Sequence, residues 1–151
     1  MKISVSFKPT FVLGLGALLA LVSPFAARVS ARPAYNAIMT YQYDLRDDKE
    51  LRGTCLYCHT EADGGDLWNP FGEAMREVFF EEGNRRVPET LYETLKRDLD
   101  SDKDGYRDIL EVIGKSFPGN PKSKPEQSIA ALEQKLEDMG GLEAFKPRVA
   151  R

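Results

Sequence analysis

The sequence predicts an all-α fold. Apolar residues recur at three- and four-residue spacing in segment after segment, no stretch shows the period-two alternation of a half-buried strand, and clusters of Gly, Pro and Asp punctuate the intervals. The helical segments are short and their connections long and irregular, and no internal repeat is visible.

The first segment stands apart from the fold. Lys2 and Lys8 precede an apolar run, Thr10 to Val22, and a small-residue end at Val29-Ser30-Ala31, which is the layout of a secretory signal peptide. The run is thirteen residues long, whereas spanning a bilayer takes about 20. Pro24 also stands where a longer helix would have to continue. Residues 1–31 are therefore read as a signal peptide, with the mature chain starting at Arg32 and no stable membrane anchor. Export would place the protein in a periplasmic or extracellular compartment. Residues 32–151 form a single domain by length. Removing Lys2, Lys8 and Arg28 takes the formal charge from −3 to −6. Nucleic acid is not an expected partner, because phosphate binding needs a concentrated positive face. A basic redox partner protein or divalent cations suit the acidity better.

Along the mature chain, Tyr35, Ile38, Met39 and Tyr43 predict a first helix over Pro33 to Tyr43. Asp47 to His59 continues with good helix formers, Asp48 to Arg52, weakened by Gly53 and Thr54 just before the cysteines. The glycines of Ala62 to Pro70 predict a loop. Asn69-Pro70 then reads as an N-cap with proline at the first helical position, opening a helix that places Phe71, Met75, Val78, Phe79 and Glu82 on one side and stops at Gly83. Pro88 to Leu99 carries Leu91, Tyr92, Leu95 and Leu99 on one face. Asp108 to Lys115, with Ile109, Leu110, Val112 and Ile113, reads as a short helix ended by Gly114 and the Pro/Gly-rich stretch after it. A last helix, about 123–139, follows from a capping-box pattern at Ser123 to Glu126, from Ile129, Leu132, Leu136 and Met139, and from the stop Gly140-Gly141.

Residues 55–60 read CLYCHT and hold both cysteines and the only histidine. Two thioether bonds to the vinyl groups of a haem need cysteines about one turn apart, and the adjacent histidine then lies under the iron; CxxCH is the attachment signal for c-type haem. Other readings compete. Structural zinc wants four ligands, commonly Cys and His, and this chain offers three such residues. A redox CxxC expects a βαβ setting, which is not visible here, while a plain disulfide is chemically open to an exported protein. Chance is the remaining reading. A haem would also enlarge the core of a domain whose short helices bury limited surface by themselves.

The wider stretch CLYCHTEADGGDLWNPFGEAMREVF resembles short monohaem c-type cytochrome domains, in which the attachment motif is followed by a loop and an "NPFG" helix. The resemblance covers residues 51–83. It implies short helices around a covalently attached haem, single-electron transfer, Cys55 and Cys58 as thioether anchors and His59 as proximal iron ligand. With no second histidine, Met75 is the first candidate for the opposite side of the iron, ahead of Met39 and Met139; the alternative is that Met75 is ordinary core. Many c-type cytochromes place the distal methionine farther along the chain in a local motif that is not found here. A methionine there raises the potential and closes the iron, whereas an open site admits peroxide or small gases.

Residues 100–111 read DSDKDGYRDILE. Along a twelve-residue calcium loop, Asp100, Asp102 and Asp104 occupy positions one, three and five, Gly105 the turn at six, Asp108 position nine and Glu111 position twelve, with Tyr106 offering its backbone carbonyl at seven. A solvated acidic turn is the bland alternative. The stretch is similar to an EF-hand loop and, with GKSFPGNPKSKP after it, to the calcium loops of thrombospondin type 3 repeats. It departs from paired EF-hands in having Arg107 at position eight and no sister loop, which implies a constitutive calcium brace between the helices on either side.

The leading expectation is thus an exported monohaem c-type cytochrome-like electron carrier, braced by calcium. Two alternatives stand beside it: a five-coordinate haem sensor or ligand-binding module, and a haem-free, calcium-stabilised interaction domain with a CxxC disulfide. An enzyme with its own substrate pocket is not expected, since no carboxylate pair, nucleophile and base, or phosphate loop is visible; haem-based peroxidase chemistry stays compatible with the motif.

Overall fold

The computed structural model describes residues 33–81 and 85–147. The expected signal peptide and cleavage point, Glu82 and the expected helix stop at Gly83 lie outside the described residues. The protein is mostly helical, with one small sheet. Five α-helices, α1 (Pro33–Gln42), α2 (Pro70–Glu81), α3 (Val87–Lys96), α4 (Asp108–Gly114) and α5 (Ile129–Asp138), follow the predicted order. Between α1 and α2 come a 3₁₀ turn, Cys55–Tyr57, and an antiparallel pair, β1 (His59–Glu61) and β2 (Gly64–Trp68). A second 3₁₀ turn, Gly141–Phe145, closes the described chain.

The hairpin corrects the all-α expectation. Its strands are three and five residues long, mostly polar and exposed, so they carry no apolar alternation to read. His59 pairs with Trp68, Glu61 with Gly64, and a bulge separates the two pairs. Of the helix expected over Asp47 to His59, only the 3₁₀ turn at Cys55–Tyr57 forms. Asp48 Oδ1 accepts from the amides of Glu50 and Leu51, at 2.9 Å each, and Gly53 turns into the left-handed region, so local side-chain bonding holds turns in its place.

One core runs through the molecule. Tyr43, Tyr57, Phe71, Phe117 and Phe145 form its aromatic part, with Tyr57 central: its ring centroid lies 6.1 Å from Tyr43, 5.8 Å from Phe71 and 5.9 Å from Phe117. Leu91 and Leu95 of α3, Leu110 and Val112 of α4 and Leu132 of α5 fill the rest. Fully burying each such aliphatic side chain stabilises the fold by about 1.5–3 kcal/mol. Polar groups lock the packing: the Tyr43 hydroxyl donates to Leu91 O at 2.8 Å, and Gln42 Nε2 donates to Pro88 O and Phe145 O. Arg97 pairs with Glu77 and Glu81, tying α2 to the end of α3.

Helix ends differ from the predicted ones where the deciding contact is tertiary. α3 stops at Lys96, and Asp98 has φ 54°, which leaves Leu99 partly exposed beyond the helix. α4 includes Gly114, whose missing side chain lets Pro125 approach, and it ends on Lys115 at φ 61°. α5 starts at the Ser128 cap, which accepts from Ala131 N; the Ser123 hydroxyl accepts from Phe117 N instead of capping a helix.

Candidate functional site

The attachment motif is built on the 3₁₀ turn. Thr54 Oγ1 accepts from Leu56 N at 3.2 Å and starts it, and Cys58 N donates to Cys55 O at 3.1 Å and closes it. Tyr57, between the two cysteines, is fully buried and anchors the turn in the aromatic core. The chain then enters β1, and Trp68 across the hairpin stacks on His59 with ring centroids 4.1 Å apart at 34°. The hairpin folds back far enough that Gly64 lies against both Cys55 Sγ and His59 Cδ2.

Asn69 joins this turn to α2. Its Nδ2 donates to Leu56 O and Tyr57 O at 3.0 and 3.2 Å, its Oδ1 accepts from Gly72 N at 2.8 Å as a helix cap, and its own N–H donates to Cys58 O at 3.0 Å. Gly72 presses directly on the Cys58 carbonyl: an added Cβ would lie 1.9 Å from that oxygen. One turn on, Met75 faces the motif, with Sδ 3.5 Å from Cys58 Sγ. Asn36 Nδ2 reaches Cys55 Sγ at 3.6 Å from α1. It also lines an open groove of about 460 Å³ that continues to Arg46 and Arg52. The structure therefore places Met75 against Cys58, and Gly64 of the hairpin beside both Cys55 and His59. Met39 is instead buried in the core, and Met139, at the C-terminal cap of α5, is exposed.

The chemistry of this donor set separates the sequence readings. Burial, with a lesser contribution from Cys55, pushes the Cys58 thiol up to about 12, so it stays protonated near neutrality. A metal clip needs ligand atoms about 2.0–2.3 Å from one ion and hence mutually close. Among the described residues, the Asp, Glu, Cys and His ligand atoms that converge in threes within 4.8 Å are those of Asp100, Asp102 and Asp104, not those of Cys55, Cys58 and His59. His59 Nδ1 is buried without a hydrogen-bond partner, an unusual state for a ring nitrogen.

Asp100, Asp102 and Asp104 lie in the acidic loop between α3 and α4. Asp100 accepts from the amides of Asp104 and Gly105, Asp102 from Asp104, and Asp104 from Tyr106, so alternate carboxylates fold the backbone around themselves. Gly105 at φ 99° makes the turn at position six. Asp108 is engaged with Ser101, whose N–H and hydroxyl donate to its two oxygens at 2.8 and 2.7 Å. Glu111 is fully buried at the start of α4; Oε1 accepts from Ser116 Oγ, and Oε2 has no partner. Asp102 Oδ2 and Asp104 Oδ2 also lack hydrogen bonds, and Lys124 Nζ stands 3.5 Å from the latter. Burial first, and the neighbouring carboxylates after it, raise Asp102 to about 6 and Glu111 to about 9. Burial also raises Asp108 to about 6, against the opposing Ser101 hydrogen bonds. This is a set of oxygens short of positive charge.

Comparison with protein-family models, curated proteins and solved structures finds no match. No described helix is long and apolar enough to cross a membrane.

Several residues that shape the site carry no local signature. Trp68 is distant from His59 in sequence and reaches it only through the unpredicted hairpin, and Gly72 and Gly119 matter because another residue approaches them. Asn69 was legible as a cap, but its two bonds to the motif carbonyls were not. The pairing of Ser116 with Glu111 follows from α4 ending where it does.

Proposed function

We propose that this chain is a monohaem c-type electron carrier, exported, with haem held through Cys55 and Cys58 and calcium bracing the loop at 100–111. One observation carries the reading: one short turn, tied down by Thr54, Tyr57 and Asn69, presents both cysteines and the histidine, and their ligand atoms do not converge as a metal clip would. Haem, when bound, supplies the one-electron couple. The chain's own residues hold it and set its surroundings. Cys55 and Cys58 would carry the thioethers, His59 would ligate the iron, and Met75 is the candidate opposite. Trp68 stacks on the imidazole, and Asn69 and Tyr57 hold the turn. The acidity of the mature chain suits a basic redox partner.

For the loop, Asp100, Asp102, Asp104, the Tyr106 carbonyl and Glu111 would supply hard oxygens, with Asp108 steadying the loop through Ser101. The unpartnered oxygens of Asp102 and Glu111 support this, since buried carboxylate oxygens without donors call for a cation. An extracellular-type affinity makes the cation a brace.

The decisive experiment is the absorption spectrum of protein made in cells that mature c-type cytochromes. A haem band lost in a Cys55→Ala/Cys58→Ala double variant supports the reading; a wild-type chain without haem sinks it. A five-coordinate haem module has one observation in its favour, namely that Met75 already has a packing partner in Cys58. Met75→Ala tests that ligand: a spectrum identical to wild type removes Met75 from the iron.

A further inference from the structure

The cation loop and the attachment motif are joined by one stretch of chain. Ser116 sits at the loop end of it, its hydroxyl on Glu111 Oε1 at 3.1 Å and its amide on Glu111 O at 3.0 Å. The next residue, Phe117, lays its ring against Tyr57, the residue between the two cysteines, at 5.9 Å. Two residues on, the backbone of Gly119 meets the Asn69 carboxamide, so closely that a Cβ there would lie 2.3 Å from Asn69 Oδ1. That carboxamide holds the Leu56 and Tyr57 carbonyls and caps α2. The stretch then returns to the loop, where Lys124 Nζ donates to Asp104 O at 2.6 Å. Within it, Asn120 N donates to Phe117 O and Phe117 N to Ser123 Oγ, both at 3.0 Å, so it has internal stiffness. Both ends are tied to the cation loop and the middle bears on the motif.

We propose that residues 116–124 are a strut through which a cation in the 100–111 loop positions the CxxCH turn. A divalent cation taking the free Glu111 oxygen fixes that side chain, and with it Ser116; its neighbours on Asp104 fix the Lys124 end. Phe117 and Gly119 are then held against Tyr57 and Asn69, and the turn carrying Cys55 and Cys58 loses freedom. Ser116, Phe117 and Asn69 are positioning residues in this arrangement. Coupling of this kind travels through packed side chains and hydrogen bonds in contact, as these are. The inference rests on the loop binding calcium, and it holds whether or not haem is attached.

The test is amide hydrogen exchange on the full mature chain, with calcium binding measured on the same samples by calorimetry. The reporting amides at the motif are those of Cys58 and Asn69, which donate to Cys55 O and Cys58 O. Those at the loop are Asp104, Gly105 and Tyr106. Calcium is expected to slow exchange at both sets, by about tenfold at the motif. Ser116→Ala, and Phe117→Leu as a variant that keeps the core filled, should bind calcium and keep loop protection while losing the slowing at Cys58 and Asn69. Calcium binding with protection confined to the loop overturns the strut and leaves the calcium reading intact. No calcium binding in the wild-type chain overturns both.

Discussion

Gly72→Ala probes how α2 is seated on the attachment motif. Helix propensity alone predicts that alanine inside a helix gains about 0.5–1 kcal/mol over glycine. The structure predicts the opposite sign. The new Cβ would lie 1.9 Å from the Cys58 carbonyl oxygen and 2.8 Å from its carbon, both backbone atoms that no rotamer change can move aside. Ordinary contact begins at 3.4 Å, so α2 and the motif turn must part by about 1.5 Å. That separation breaks the 3.0 Å bond from Asn69 N to Cys58 O and draws Met75 away from Cys58. A lost hydrogen bond at about 1 kcal/mol and overpacking at about 1–3 kcal/mol, set against that propensity gain, give a net loss of about 1–3.5 kcal/mol. For a domain of this size the melting temperature should fall by about 10 °C. Gly53→Ala is the control: φ is 71° but nothing lies within 4 Å, so only backbone strain of about 1–2 kcal/mol applies. Thermal unfolding followed by circular dichroism measures both. A Gly72→Ala melting temperature at or above wild type refutes the close seating of α2 on Cys58.

Calcium at about 1 mM, with a dissociation constant near 10⁻⁴ M, should stabilise the fold by about 1.4 kcal/mol. A chelator should reverse this, and Glu111→Gln should abolish most of it; an unchanged melting temperature on chelation removes the calcium brace. Stability should also depend on pH in the calcium-free protein. Asp102 and Asp108 near 6 and Glu111 near 9 hold their protons more tightly folded than unfolded. Their stabilising contribution is therefore complete below about pH 4 and is lost as pH rises through 6 and then 9. Melting temperatures taken with chelator from pH 5 to 9 should fall, and added calcium should flatten the decline; a rise with pH in chelator contradicts the buried, cation-starved loop.

Local chemistry made parts of this protein legible in its sequence. Asn69-Pro70 begins α2 because the cap bond runs only three residues, to Gly72 N. Cys55, Cys58 and His59 are recognisable from spacing, as are Asp100, Asp102 and Asp104, whose carboxylates fold their own loop. The hairpin was not legible, since His59 to Trp68 is polar and short and its register depends on a bulge. The seating of α5 on Ser128 was hidden because Ser123, the better local cap pattern, is drawn to Phe117. Nothing local marks Tyr57 as the centre of the aromatic core, a role set by Phe71 and Phe117 from elsewhere in the chain.

The most direct test of the haem reading is the intact mass of the mature chain under denaturing conditions, after expression with c-type cytochrome maturation. The proposed function predicts one haem retained on the chain, with Cys55 and Cys58 both modified in the peptide that contains them. Free thiols, or a Cys55–Cys58 disulfide with no haem attached, would contradict it.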